Sequence, residues 1–161
     1  AFRGLGMDLE LLEWLNTHTF PEEAKYSNEV YAKRAYTMYV EELKKSDVTR
    51  AVIFATMHVE GTKILMELLE NSGLSAYVGK VNMDRNGGKD LEESAEKSLE
   101  ETKRWLAETD GRFRHVRPIL TPRFIPSCTD ELMRGWQSYR EKKKNCRYSL
   151  IYLKIQVRSR G

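Results

Sequence analysis

The sequence predicts an α/β fold: a partial (β/α) barrel of the TIM type, with parallel strands alternating with helices. Three observations predict it. Apolar runs over residues 52–57, 78–83 and 119–122 each end on a polar group, at His58, Asp84 and Arg123-Phe124. Long amphipathic stretches separate the runs. The polar residue always stands at the carboxyl end of its strand, which is where a barrel of this type carries its active face. A closed eightfold barrel typically takes about 250 residues. A chain of 161 residues therefore makes an open sheet or part of a larger barrel.

Residues up to Pro21 are read as a long loop with helical content, closed by Phe20-Pro21. Residues 22–45 place Tyr26, Val30, Ala32-Lys33, Tyr36, Met38-Tyr39 and Leu43 at helical spacing, which gives a helix with one buried stripe. The first strand, 49–56, is nearly all apolar and is expected to be covered on both faces. A helix over 60–71 follows, with Ile64, Leu65, Leu68 and Leu69 inward and Gly73 as its left-handed cap. The second strand is 76–83, and Asn86-Gly87-Gly88 marks the loop behind it. A charged helix over 92–109 buries Leu99, Thr102-Lys103 and Leu106. The third strand is 116–121. A last helix, 129–144, opens on Thr129 with Asp130 and Glu131 in the first turn, where the helix dipole favours acids.

With 40% hydrophobic and 32% charged residues the composition is that of a globular chain. One domain over 1–144, followed by a basic tail over 145–161, is the simplest organisation. No apolar run approaches the roughly 20 residues of a membrane span, and the opening residues do not form a signal peptide. A cytoplasmic location without membrane attachment is expected. Cys128 and Cys146 sit in dissimilar surroundings with no Cys-x-x-Cys spacing, so both are expected to be free. The net charge of +3 is unevenly spread: from Arg134 onward nine basic residues face one acid, Glu141. Such a tail raises a nucleic-acid reading, but no aromatics interleave on a defined groove, and no nucleic-acid partner is expected.

Arg123-Phe124 is the sharpest pair. A guanidinium fork suits a planar acceptor edge and an adjacent ring offers a stacking face, so together they suit a flat heterocycle. The alternative is an ordinary salt bridge at Arg123 and a core role for Phe124. His58 is a base, a ligand or a hydrogen-bonded structural residue; His18 and His115 supply no spacing that completes a metal set. Asp84 holds a substrate or caps the turn behind it. Lys80 is a buried amine or, as favoured here, reaches the barrel end. Trp14 lids a pocket or joins the core. No Ser/His/Asp set and no phosphate-binding loop is present.

Taken together, Leu11-Leu12-Glu13-Trp14-Leu15, Thr19-Phe20-Pro21, Phe54-Ala55-Thr56-Met57-His58, Gly79-Lys80-Val81-Asn82-Met83-Asp84 and Thr121-Pro122-Arg123-Phe124 with Ser127-Cys128 closely resemble the guanine deaminases of the amidohydrolase superfamily. The blocks follow in order over about residues 1–143, matching the N-terminal part of the family's barrel and starting just inside it. The resemblance implies a zinc-dependent hydrolase of purine catabolism that converts guanine to xanthine and ammonia, usually as a homodimer. It assigns Arg123 and Phe124 to substrate binding and leaves His58, Asp84 and Trp14 as pocket residues or supports behind them. The family's zinc ligands, in a His-x-His motif upstream and a Ser-His-Leu-Ser-Glu-Asn block downstream, have no counterpart in this sequence. No metal ligand and no catalytic residue is assigned, and the chain is expected to be inactive alone. The rival readings are an amidohydrolase for another heterocycle and a nucleic-acid-binding module using the basic tail. One codon string for Leu-Pro-Val-Gln-Ser-His-Leu-Ser-Glu-Asn, read one base later, spells residues 146–154. The tail is therefore expected to be a frameshifted translation of the ligand-bearing strand, with an accidental charge and at most one extra strand.

Overall fold

In the computed structural model, residues 6, 8–88 and 90–142 are described; the tail expected over 145–161 lies outside them. Helical turns come first: α1 (Leu11–Trp14), a π-helical turn (Leu15–Thr19), α2 (Phe20–Ala24) and a 3-10 turn (Lys25–Ser27). From Leu11 onward the segment read as a loop is thus helical. Phe20-Pro21 does not close it, because Pro21 lies in the first turn of α2, where its missing N–H breaks no hydrogen bond.

The helix expected over 22–45 is interrupted, and its long part is α3 (Glu29–Lys44). Asn28 starts it, with Oδ1 accepting from the N–H groups of Val30 (2.9 Å) and Tyr31 (3.1 Å). Its packed face runs through Ala32, Tyr36 and Val40, while Val30 and Met38, assigned to the buried stripe, are exposed. The helix starts seven residues later than expected.

Next come β1 (Arg50–Phe54), α4 (Val59–Ser72), β2 (Ser75–Gly79), β3 (Val81–Asn82), α5 (Ala95–Thr109), β4 (Val116–Pro118), β5 (Thr121–Pro122), a 3-10 turn (Ile125–Ser127) and α6 (Asp130–Lys142). Every strand pair is parallel: β1 beside β2, β2 beside β4, and β3 beside β5. The second and third strands are each broken in two. At the first break the carbonyl of Lys80 accepts from Thr121 Oγ1 (2.8 Å). The three staves continue past the ladder, where Ala55 N–H donates to Gly79 and Val81 N–H to Thr56. Among the described strands β1 is an edge, paired by β2 alone. Val52 on it is 55% exposed, so β1 is not covered on both faces as its apolar run suggested.

The core lies between the staves and the helices. Ile53, Val78 and Val116 meet Leu65, Met66 and Leu69 of α4, Trp105 of α5, and Leu132 and Trp136 of α6. On α5 the buried stripe is Ala95, Ser98, Thr102, Trp105, Leu106 and Thr109; Lys103, expected inward, is exposed. Gly73 ends α4 with φ +77°, as its sequence position predicts. Glu70, one turn earlier, accepts the backbone N–H groups of Arg114, His115 and Val116 and so aligns the start of β4. Among the described residues no helix is long and apolar enough to cross a membrane.

Candidate functional site

Parallel pairing puts the carboxyl ends of all three staves on one side of the sheet, and a second apolar cluster forms there. Met57 follows β1, Met83 follows β3 and Phe124 follows β5; these pack with Leu91 and with Leu15 and Phe20 of the opening helical run. Phe124 is 4% exposed. Trp14 is partly buried against the same cluster, so the structure brings Trp14 and Phe124 together, with the opening helices lying over the strand ends.

Arg123 stands at the edge of this cluster. Its backbone N–H donates to the Asn82 carbonyl (3.1 Å), which fixes the end of β5 against the end of β3. Its Nη1 donates to Glu23 Oε2 at 2.5 Å. The guanidinium carbon lies 5.1 Å from the centroid of the Phe20 ring, within range of a cation–π contact. Both charged side chains are largely buried, at 15% exposure for Arg123 and 12% for Glu23. Sequence reading did not single out Glu23 or Phe20 as partners of Arg123. Neither carried a local signal, because the contact spans a hundred residues.

The other rim residues turn elsewhere. Asp84 accepts from Thr129 through both carboxylate oxygens, at 2.7 Å from the backbone N–H and also from the hydroxyl. It therefore anchors the start of α6, and these are its bonds in place of the expected cap on the Asn-Gly-Gly turn. His58 precedes α4, and its Nε2 is buried without a hydrogen-bond partner among the described residues. Burial first, then the nearby Lys80 charge, holds its pKa below the ordinary 6.5. A neutral imidazole results.

Lys80 does not reach the barrel end. Its side chain is fully buried and its ammonium meets Glu93, itself nearly inaccessible, at 2.6 Å. Burial pulls the Lys80 pKa down and Glu93 opposes that shift. Two residues on, Asn82 points to the same face of its strand and donates to Ser98 Oγ (2.9 Å) and Thr102 Oγ1 (2.8 Å) of α5. Asn82 therefore pins α5 to the sheet from behind the rim, and Lys80 holds the segment just before that helix. Cys128 is a free, buried thiol whose pKa burial raises.

Zinc, implied by the resemblance, does not fit what is present. Among the described residues no three His, Cys, Asp or Glu side chains come together in a group that could hold a metal ion. What the arrangement offers is a largely buried guanidinium, two aromatic rings and an indole at the mouth of parallel strands.

No protein-family model matches the chain. It is 42% identical over 135 residues to the guanine deaminase of Mus musculus, covering 83% of this chain and 30% of that protein. To the guanine deaminase of Dictyostelium discoideum it is 39% identical over 131 residues, covering 81% of this chain and 29% of the relative. The crystal structure of guanine deaminase from C. acetobutylicum with bound guanine in the active site superposes with a TM-score of 0.86 at 44% identity. That match covers 91% of this chain and 35% of the other. The chain thus spans about 30% of the length of the curated relatives it matches. Over that span, in sequence and in its parallel α/β fold, it is a homologue of the guanine deaminases.

Proposed function

We propose that this chain is the purine-holding part of a guanine deaminase, an enzyme that hydrolyses guanine to xanthine and ammonia. One observation carries the reading: Arg123 and Phe124 follow β5 at the carboxyl ends of the staves, with the guanidinium steadied by Glu23 and Phe20. In this reading the remaining guanidinium N–H groups donate to the acceptor edge of the base, and Phe124 forms part of the wall against which the ring lies. Trp14 closes over the ring and limits water. The intact enzyme is a cytoplasmic homodimer that uses zinc. The described residues supply no ligand set for that metal, so water activation is assigned to none of them, and this chain binds the base without turning it over. Residues 145–161 belong to the reading as an out-of-frame translation; sequencing the encoding DNA, and finding no frame with Ser-His-Leu-Ser-Glu, would remove that part.

Calorimetric titration with guanine, adenine and a chlorinated triazine tests the proposal, with ammonia release followed in parallel at added zinc. Guanine is expected to bind tightest, Arg123→Ala to weaken it by about tenfold or more, and no ammonia to appear. Equal affinity for the three compounds, or indifference to Arg123→Ala, would sink it.

A further inference from the structure

The opening helical run carries two polar atoms that the packing does not account for. Thr19 Oγ1 and Glu23 Oε1 are both shut off from solvent, and neither has a hydrogen-bond partner among the described residues. Spaced four apart on a helical path, they lie one above the other on the same face. Glu23 spends its other oxygen on Arg123, whose guanidinium rests on the ring of Phe20, the residue after Thr19. The turn that ends on Thr19 is π-helical, a rare geometry concentrated at functional sites. An unpaired hydroxyl and an unpaired carboxylate oxygen on one buried face are costly. They make physical sense if a bound molecule completes them.

We propose that Thr19 and Glu23 form, with Arg123, the polar wall of the purine site. Glu23 Oε2 orients the guanidinium, and Glu23 Oε1 accepts an N–H of the base. The inference rests on the reading of Arg123 and Phe124 as purine-binding and names the recognition it lacked. Arginine only donates, so a guanidinium alone takes any acceptor edge. A carboxylate beside it adds a demand for an N–H on the ligand. In guanine the acceptors O6 and N7 are flanked by donors at N1 and N9, whereas adenine presents a bare acceptor at N1 and its donors at N6 and N9. Thr19, which both donates and accepts, bonds whichever ring atom adjoins.

The test titrates the full 161-residue chain, as wild type, Glu23→Gln, Thr19→Val and Arg123→Ala, with guanine and its 1-, 7- and 9-methyl derivatives. Glu23→Gln is expected to weaken guanine about 10- to 100-fold, as for loss of a charge-assisted hydrogen bond. Thr19→Val is expected to weaken it several-fold. One methyl derivative whose N–H is lost should bind wild type about as poorly as guanine binds Glu23→Gln, and should lose little more in that variant. Unchanged guanine affinity in Glu23→Gln, or a methyl penalty equal in wild type and variant, overturns the inference. If Arg123→Ala still loses guanine, the broader function then survives. Wild type that binds no guanine removes both. Should Glu23→Gln fail to fold, the methyl series on wild type decides: no derivative weaker than guanine overturns the role of Glu23.

Discussion

Glu23 and Arg123 meet at 2.5 Å although a hundred residues separate them in the chain, and the pair joins the opening helices to the end of the third stave. With both side chains mostly buried, the pair resists solvent screening better than a surface bridge does. Arg123→Ala strands a buried carboxylate and is expected to cost about 1–3 kcal/mol of unfolding free energy. The Glu23→Ala/Arg123→Ala double variant should cost less than the two single changes added together. Urea denaturation of all four proteins measures the coupling, and strict additivity would show that the pair contributes nothing.

Lys80 and Glu93 form a deeper pair, with side-chain exposures of 0% and 4%. Either Lys80→Met or Glu93→Leu leaves an uncompensated charge in the interior, so each is expected to destabilise by about 3–5 kcal/mol. The double variant replaces the pair by apolar groups and should recover most of that loss. Chemical denaturation is the readout; a double variant as unstable as the worse single change would contradict the account.

Gly79 and Gly73 should respond differently to alanine. A Cβ at Gly79 would collide with the Thr121 side chain and come within 2.7 Å of the Ile119 carbonyl oxygen, at the point where two staves touch. Gly79→Ala is expected to cost about 3 kcal/mol or more. Gly73 has open space around it and only its φ of +77° to penalise a side chain, so Gly73→Ala should cost about 1–2 kcal/mol. Melting curves that reverse this order would refute the packing argument.

His58 predicts an acid sensitivity. The folded state holds its imidazole neutral below the ordinary pKa of 6.5, by burial and by Lys80. As pH falls through that value the unfolded chain takes up a proton that the folded chain resists. Stability therefore declines on acidification below about 6.5. Melting temperature against pH should show that decline in wild type and a flatter course in His58→Gln. Glu70, whose pKa lies below its ordinary 4.5 because three backbone N–H groups outweigh the opposing effect of burial, acts only at lower pH, so the two contributions separate.

The β1 edge predicts self-association. Val52 is more than half exposed on a strand that only β2 pairs among the described residues, and an apolar, unpaired edge recruits other strands. Sedimentation velocity at two concentrations should show heavier species in wild type than in Val52→Lys. A wild type that stays monomeric at the higher concentration would rule this out.

The alternation of apolar runs with amphipathic stretches was enough to read the parallel staves and the helices between them, because periodicity is a local consequence of which face is buried. Gly73 was likewise legible, since only a left-handed residue could end α4 there. The opening helices were misread because Pro21 suggested an end where a first turn tolerates it. Val30 and Met38 matched the helical period yet lie outside, since α3 packs on α4 through the face of Ala32, Tyr36 and Val40.

By itself the sequence determined the order and direction of the elements, and placed His58, Asp84 and Arg123-Phe124 at strand ends. Which of these groups meet, and what they meet, was decided in three dimensions. Asp84 went to Thr129, Lys80 to Glu93 and Arg123 to Glu23. Charge pairing acts through space over a few ångströms, and the chain separation between partners leaves no periodic trace of it. Only packing the helical run over the stave ends brought Glu23 and Phe20 to the guanidinium.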